Sequence, residues 1–495
     1  MRIPLDRQRA VPLYQQIETY LRENIRSGAL AAETRLPSTR ELAQELGVSR
    51  ITVKNAYADL ESDGLILTRE GSGTYVAATP APTCALEREA QGGWPLWQME
   101  ALNENIFSSA IYKSIPDYHA PGHEIIQFTG VGDPRQFPLK DFLKAIQAVV
   151  RRDGVDALEY GDFGSGFAPL RQTVVNVLAS QGIHAHPDQV LITSGSQQAL
   201  SLACLVLLKP GDTILVESPT YNLGLELFRS FNLKIAGIPV DEHGMQVDLL
   251  EPLLQKYHPK LIYTIPNFQN PTGTCLSGPR RRALIDLAGR YNVPILEDDY
   301  AGDLRYEGRA QPAVKALDTG GDVIYAGTFS KMIMPGLRLG FLVADGPIFQ
   351  RLLHEKWVND LTTSTLIQRT LDEYVTVGRY QTHLRRSIRS NRSRRDLMLA
   401  AIHRYLPREV HCPVPQGGLY LWLKLPAGFN CLDLLPLAYA AGVEFTPGSW
   451  FFPHPPDGER YIRLNFATQP PNLIEEGIHR LGLAMKRMGE TTSKS

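Results

Sequence analysis

The sequence has 495 residues, 43% hydrophobic and 21% charged, an ordinary globular composition that allows roughly two to four domains. A formal net charge of −1 gives the whole molecule no bulk attraction to nucleic acid or membrane, so any such binding must come from local patches. Five widely separated cysteines without CxxC spacing argue against a disulfide framework and a zinc site, and they predict reduced thiols in a cytoplasmic protein. The N-terminus has no apolar stretch typical of a signal peptide, and no apolar run reaches the about 18 residues of a membrane span.

The first predicted elements, within residues 1–77, are three helices and a β-hairpin. Apolar residues recur at helical spacing in PLYQQIETYLRENIRSG. A second helix begins at a capping pattern, with Ser38 three residues before Glu41, and ends at a glycine. The third helix starts at Ser49 and ends at Gly64, and the alternating LILTREGSGTYV that follows predicts the hairpin.

Three helices followed by a hairpin predict a winged helix-turn-helix, whose third helix would enter the DNA major groove. Residues 1–77 carry ten basic and ten acidic side chains, so an interaction module that does not bind DNA is the alternative. The predicted DNA contacts are Arg40, Arg50, Thr52, Lys54 and, on the wing, Arg69.

The stretch LPSTRELAQELGVSRITVKNAYADLESDGLILTREGSGTYV resembles the DNA-binding domain of the GntR family of bacterial regulators over nearly its full length. That resemblance implies that Arg40, Arg50 and Lys54 contact DNA. The chain departs from the family at Glu70, where many relatives carry Gln or a second Arg.

The connector AATPAPTCALEREAQGG, rich in Ala and Pro, predicts a semi-rigid linker, and residues 78–125 as a whole are assigned to the linker, irregular from about residue 92 on. From residue 126 to residue 490, short β-rich runs such as VLIT, TILVES and VPILED alternate with helical segments. This alternation predicts an α/β domain with a mostly parallel sheet and helices on both faces. The late segments GGLYLWLKLP and RYIRLNFAT predict a small C-terminal subdomain beside the large one.

Side chains able to hold a ligand follow the predicted strands, at the edge where open α/β sheets bind ligands. SGSQQAL opens a helix whose free N–H groups favour a phosphate, PTY presents an aromatic face, and NFQNPTG offers the amides of Asn267 and Asn270. Further along the chain, these strand ends carry Asp298, Asp299, Tyr300, Thr328, Ser330, Lys331 and Arg338.

Each of these pieces alone also fits a helix cap, a turn or a solvated strand edge, but together they meet the needs of pyridoxal 5′-phosphate. The aldehyde of this cofactor needs an amine, and its pyridine nitrogen needs a carboxylate. Its phosphate needs a helix N-terminus, hydroxyls and an arginine. No metal site is predicted.

The motifs PNFQNPTG, EDDY and TFSKMIMPGLRLGF, in this order, resemble fold type I aminotransferases across roughly residues 126 to 487. The resemblance implies that Lys331 forms the Schiff base and can shuttle protons, and that Asp298 pairs with the pyridine nitrogen. It implies that Asn270 and Tyr300 bond the ring's phenolic oxygen and that Tyr221 stacks on the ring. The remaining predicted cofactor contacts, mostly to the phosphate, are Ser194, Gly195, Ser196, Gln197, Thr328, Ser330 and Arg338.

By the same resemblance, Arg463 on the last strand holds the α-carboxylate of a substrate, where an edge-strand surface arginine is the alternative. Tyr160 is the candidate for the tyrosine that completes the phosphate site of a partner subunit. One arginine-rich run has two possible interpretations, the solvated face of a helix or a second stripe that faces DNA. Its members are Arg385, Arg386, Arg389, Arg392, Arg394 and Arg395.

A GntR-type head joined to an aminotransferase-like body resembles the MocR subfamily of bacterial regulators. The resemblance implies a transcription factor that senses an amine or amino acid through pyridoxal phosphate bound at Lys331. It also implies a homodimer, with each head lying against the partner's body. Two alternatives stay open: a working aminotransferase, and a regulator for which pyridoxal phosphate itself is the effector.

Overall fold

A computed structural model describes the chain in two compact units, one within residues 1–107 and one within residues 108–495. Glu70 and nearly all of the predicted linker lie outside the described residues, and the predicted domain boundaries stay predictions. No helix in the described part of the chain is long and apolar enough to cross a membrane. The described residues are 3–7, 11–69, 72–77, 97, 125–130, 132–161 and 164–492.

The first unit packs three helices against a small antiparallel sheet. Ile17, Leu21 and Leu60 are fully buried in its core, because the apolar residues recur at helical spacing. The elements are α1 (Leu13–Arg26), β1 (Arg35–Leu36), α2 (Thr39–Leu46), α3 (Arg50–Ser62), β2 (Ile66–Arg69) and β3 (Gly73–Val76), with strand order β1-β3-β2.

The start of α2 agrees with the predicted capping box. The Glu41 backbone N–H donates to Ser38 Oγ at 3.2 Å, and the Ser38 N–H donates to Glu41 Oε2 at 2.9 Å. Gly47 ends the helix in the left-handed region at φ 62°. The short turn from Gly47 to the N-cap Ser49 places α3 as the second helix of a helix-turn-helix.

The second unit is built on an eight-stranded sheet of order β5-β12-β11-β10-β9-β6-β7-β8, in which β12 and β8 run antiparallel to their neighbours. The predicted mostly parallel sheet is thereby confirmed. Its strands are β5 (Val190–Thr193), β6 (Thr213–Ser218), β7 (Lys234–Asp241), β8 (Gly244–Met245), β9 (Leu261–Thr264), β10 (Ile295–Asp299), β11 (Val323–Thr328) and β12 (Gly340–Val343), after a first short strand β4 (Ile126–Gln127).

Helices cover both faces of this sheet, because successive side chains of its strands enter two different cores. On β10, for example, Ile295 joins one hydrophobic cluster and Leu296 the other. The helices up to the end of the sheet are α4 (Leu139–Asp153), α5 (Ala168–Ala179), α6 (Ser196–Leu207), α7 (Asn222–Ser230), α8 (Leu250–Tyr257), α9 (Gly278–Tyr291) and α10 (Val314–Leu317).

The C-terminal part adds a three-stranded antiparallel sheet, β13-β16-β15, and a short parallel pair, β14 with β4. This is the predicted smaller subdomain. Its elements and the helices leading to it are α11 (Ile348–Asp360), α12 (Thr365–Thr376), α13 (Arg379–Tyr405), β13 (Tyr420–Lys424), α14 (Cys431–Ala440), β14 (Val443–Glu444), β15 (Thr446–Pro447), β16 (Tyr461–Asn465) and α15 (Pro471–Thr492).

Candidate functional site

Lys331 follows β11 and lies near three of the charged residues predicted for the same site. Burial, together with the nearby charges of Arg463 and Arg338, lowers the pKa of its ammonium group to about 8 against the opposing effect of Asp298. An amine with such a pKa is neutral in a sizeable fraction of molecules near neutral pH. A neutral amine is the form that attacks an aldehyde.

Asp298, on the neighbouring strand β10, is a buried carboxylate that is satisfied on one side only. Its Oδ2 accepts a hydrogen bond from the Tyr263 hydroxyl at 2.8 Å, whereas its Oδ1 is buried without a partner among the described residues. Burial raises the pKa of Asp298 to about 7. A cationic ring N–H is the kind of group that this lone oxygen lacks, so the carboxylate fits the pyridine nitrogen of the predicted cofactor.

The phosphate cradle is predicted at the turn between β5 and α6. Gly195 has φ 94°, and a Cβ added there would lie 2.7 Å from Arg338 Nη2, so a glycine is required. Arg338 Nη2 donates to the Ser194 carbonyl at 3.1 Å, which brings the arginine to the cradle. Ser196 begins α6, whose N-terminal N–H groups favour an anion.

The two hydroxyl groups at the end of β11 and just after it, those of Thr328 and Ser330, differ in their hydrogen bonding. The Thr328 hydroxyl donates to the Leu339 carbonyl at 3.2 Å and accepts from the Ser330 N–H at 3.1 Å. The Ser330 Oγ is buried and has no partner in the described part of the chain. Of the two, Ser330 has the hydroxyl that a phosphate oxygen would satisfy.

The residues predicted to surround the cofactor ring make contacts among themselves. The Tyr300 hydroxyl donates to the Phe268 carbonyl at 2.6 Å, so its proton is engaged without a ligand. Asn270 Oδ1 accepts from Arg463 Nη1 at 2.8 Å, which leaves its amide nitrogen as the donor for a ligand. Tyr221 caps α7, and its hydroxyl donates to Gln197 Oε1 at 3.4 Å.

Arg463 is buried at 7% exposure in an aromatic setting. Its guanidinium carbon lies 4.2 Å from the centre of the Tyr420 ring and 4.8 Å from that of Phe451. Nη2 donates to the Thr446 hydroxyl at 3.2 Å, and Nε is buried without a partner. No carboxylate among the described residues forms an ion pair with it, so the predicted surface arginine alternative is wrong and a carboxylate ligand fits the position.

Sequence reasoning missed the residues that hold the predicted contacts in place. Gln198 Oε1 accepts from the Ser194 N–H at 2.7 Å, and its Nε2 donates to Asp360 Oδ2 at 2.8 Å. Asp360 in turn pairs with the buried Lys356 at 2.8 Å. Gln198 is part of the motif SGSQQAL and could have been identified from it. The sequence around Lys356 and Tyr263 contains no pattern that indicates their roles.

In the first unit, Arg40, Arg50 and Lys54 are exposed, as a DNA contact requires. The Thr52 hydroxyl lies 2.8 Å from the Ser49 hydroxyl in the N-cap, and Arg69 pairs with Glu33 at 2.7 Å, so these two predicted contacts are already engaged. Ile51, which sequence reasoning missed, is 69% exposed on α3. An exposed apolar side chain there suits contact with a thymine methyl group.

The arginine run lies on α13 and is not one uniform face. Arg394 is buried and pairs with Asp133 at 2.6 Å, and buried Arg395 pairs with Glu307. These two arginines therefore hold the fold together and cannot face DNA. The other four predicted members are exposed. Tyr160 is 58% exposed in the second unit, and its role toward a partner subunit stays a prediction.

Comparison with known proteins places both units. The family model for aminotransferase class I and II matches residues 126–481, and that for bacterial regulatory proteins of the gntR family matches residues 13–76. The crystal structure of LysN, an alpha-aminoadipate aminotransferase from Thermus thermophilus complexed with N-(5′-phosphopyridoxyl)-L-leucine, superposes with a TM-score of 0.70 at 34% identity, covering 74% of this chain and 94% of that one.

Two relatives match over nearly the whole chain. The uncharacterized HTH-type transcriptional regulator YisV of Bacillus subtilis is 35% identical over 97% of both chains. The probable rhizopine catabolism regulatory protein MocR of Rhizobium meliloti is 31% identical over 96% of this chain and 94% of its own. The helix-turn-helix implies DNA binding, and the chain belongs to the MocR subfamily of GntR-type transcriptional regulators, with an aminotransferase class I and II body.

Proposed function

We propose that this regulator binds pyridoxal 5′-phosphate at Lys331 and that an amine or amino acid reacting there modulates its binding to operator DNA. The observation that carries the proposal is the half-satisfied carboxylate of Asp298, whose buried Oδ1 has no partner in the described part of the chain and lies near a lysine with a lowered pKa. When bound, the cofactor supplies an aldehyde that exchanges one amine for another.

The protein's own residues have distinct tasks in this proposal. Lys331 supplies the resident amine, and burial keeps part of it neutral. Asp298, held by Tyr263, orients toward the ring nitrogen. Ser330 and Arg338 hold the phosphate at the N-terminus of α6.

The arriving ligand is recognised through its carboxylate. Arg463 is desolvated and already oriented by Asn270 and Thr446, so a carboxylate gains a paired charge without ordering the arginine. Engagement of Arg463, which lies on β16, would draw the smaller subdomain toward Lys331. A movement of this kind is the two-state element through which ligand binding could change DNA affinity.

We further propose that the bodies form a homodimer. Large apolar side chains are exposed along residues 139–158 and on α11, a pattern that monomers rarely leave uncovered. Gly164, six residues after the first stretch, lies close to α11, since an added Cβ there would be 2.6 Å from a side-chain carbon of Leu353. The exposed residues are Leu139, Leu143, Val155, Leu158, Trp357, Val358 and Leu361.

The test follows two signals on the purified, cofactor-loaded full-length chain during titration with a panel of amino acids. One signal is the visible absorbance of the cofactor, and the other is affinity for the DNA upstream of the protein's own gene. A spectral change that holds steady while DNA affinity changes supports the sensor. Lys331→Ala should abolish the response, whereas Lys260→Ala, an exposed lysine just before β9, should leave it intact.

The alternative function is an aminotransferase, favoured by the presence of Lys331 as a proton shuttle and of Arg463 for the substrate carboxylate. Release of keto acid over many turnovers would establish aminotransferase activity and argue against a function as a sensor. If cofactor loading alone changes DNA affinity and no amine changes it further, pyridoxal phosphate itself is the effector.

A further inference from the structure

A cavity of about 780 Å³ lies in the second unit apart from the Lys331 site. Its walls are the ends of β6 and β7, residues 272–277, residues 305–311, and the outer ends of β13 and β16. None of the residues predicted to hold the cofactor or its ligand lines it. The volume falls in the range of about 300 to 1,000 Å³ that is usual for small-molecule sites.

One wall of the cavity is aromatic. The rings of Trp422 and Tyr461 stack with centroids 5.1 Å apart and an interplanar angle of 6°, and Phe452 packs beside Tyr461 at 5.9 Å. All three side chains line the cavity. Trp422 and Phe452 are buried, so Tyr461 gives the accessible part of this wall, with Lys424 Nζ 5.8 Å from the centre of its ring, an arrangement that suits an aromatic anion.

The charged groups at the cavity are mainly positive. Arg305, Arg309 and Lys424 line it, and none of them forms an ion pair with a carboxylate among the described residues. Of the two acids in the lining, Asp241 is neutralised by two bonds from Arg280, at 2.6 and 2.7 Å. Three cations thus face a single uncompensated acid, and an anionic ligand is favoured.

The cavity and the Lys331 site share one face of the small C-terminal sheet. Tyr420, Trp422 and Lys424 alternate on the same side of β13, and Arg463 stands opposite Trp422 on β16. Tyr420 packs on Arg463 in the Lys331 site, whereas Trp422 and Lys424 belong to the cavity. The cavity and the Lys331 site thus have separate sets of residues that meet at the cross-strand pair Trp422 and Arg463.

We propose that this cavity is a second small-molecule site, which binds a planar aromatic organic anion. The ring lies against the wall of Trp422 and Tyr461, and the carboxylate, phosphate or sulfonate faces Arg305, Arg309 and Lys424. This site goes beyond the proposed function, since it requires neither the cofactor nor Lys331.

The experiment titrates the full-length chain with anilinonaphthalene sulfonate, a fluorescent aromatic anion, and with its uncharged relative N-phenylnaphthylamine. The double variant Arg309→Gln/Lys424→Gln should weaken sulfonate binding about tenfold, the loss expected for two partly exposed charge pairs, and leave the neutral probe unaffected. Its matched control is Arg351→Gln/Lys260→Gln, exposed cations of the same unit outside the cavity lining. The control should bind both probes as the wild type does.

Two further variants separate the outcomes. Val414→Trp fills the cavity at a residue that is 61% exposed and should weaken both probes. Lys331→Ala should leave both affinities unchanged, so a failure of the proposed cofactor site would not alter this result. Sulfonate binding that is unaffected by the cavity variants, or weakened equally by the control pair, would overturn the proposal.

Discussion

Arg463 and Arg281 are two buried arginines in the same unit whose replacement should have opposite consequences. Arg281 is fully buried and donates to the carbonyls of Leu276, Pro312 and Pro266, each at 2.9 Å, and to Asn267 Oδ1. Its bonding groups are all used by the fold. Arg463 makes two hydrogen bonds, has an unpartnered Nε and lacks a carboxylate among the described residues.

The magnitudes follow from these contacts. Arg281→Met loses four charged hydrogen bonds of about 1.5–3 kcal/mol each, against several kcal/mol returned by removing its own buried charge, and should cost about 3–5 kcal/mol of unfolding free energy. The Leu276 and Pro312 carbonyls and Asn267 Oδ1 are left without these donors, whereas the Pro266 carbonyl keeps the Leu276 N–H. Arg463→Met loses two charged hydrogen bonds of about 1.5–3 kcal/mol each, but it also removes a desolvated charge whose burial costs several kcal/mol. Its net effect should lie within about 1 kcal/mol of zero.

The assay is thermal unfolding of the cofactor-free chain, followed with amino-acid titration of the loaded protein. In a unit of this size, about 1–2 °C of melting temperature corresponds to 1 kcal/mol, so Arg281→Met should lower the transition by several degrees and Arg463→Met by little. Arg463→Met should nonetheless abolish the response to carboxylated amines. Equal destabilisation by both variants would show that Arg463 is a structural residue, and the reasoning would fail.

Three further predictions concern the head, the cradle and the buried carboxylate. Lys54→Ala should weaken DNA binding uniformly across sequences and reduce the salt slope by about 1, whereas Arg69→Ala, which removes a side chain paired with Glu33, should change the slope less; filter binding at several salt concentrations measures both. Gly195→Ala should weaken cofactor binding about tenfold or more in a spectroscopic titration because of backbone strain and the clash with Arg338, while Gly336→Ala, whose methyl meets nothing within 4 Å, should not. Burial raises the folded-state pKa of Asp298 to about 7. The stability that its proton contributes is therefore fully present below about pH 4 and is lost as the pH rises from about 4 through 7. Relative to Asp298→Asn, the cofactor-free wild type should lose up to about 1.4 kcal/mol of unfolding free energy per pH unit in that window, and melting temperatures that change in parallel with pH would refute this.

Local patterns in the sequence were sufficient for much of the fold. The capping box at Ser38 and the left-handed Gly47 depend on residues within one helix, so their signal is contained in a few letters. The same holds for the turn at Gly195, where a small residue precedes a helix. The alternation of strands and helices likewise predicted the parallel sheet without any knowledge of long-range contacts.

The sequence could not show which of these side chains are already bonded, because their partners lie far along the chain. Arg394 is held by Asp133, from which it is separated by 261 residues, so nothing near Arg394 distinguishes it from its exposed neighbours. Arg69 is likewise engaged by Glu33, at a separation of 36 residues. Sequence spacing shows which residue types are present, but the packing of distant elements decides which of their atoms are already bonded.

The unbonded atoms are what distinguish the Lys331 site from an ordinary part of the interior. Eight buried side-chain polar atoms have no partner among the described residues, and three of them belong to Asp298, Ser330 and Arg463. Leaving such an atom unsatisfied costs about 1–3 kcal/mol, so a fold selected for stability alone would not gather them in one place. Ligands that satisfy these atoms bind the folded chain and not the unfolded one, and they must therefore raise its stability by mass action. In the proposed function, the free energy lost at these unsatisfied atoms in the free protein is regained when the ligand binds, and it contributes to the energy by which an amino acid would shift the regulator between two states.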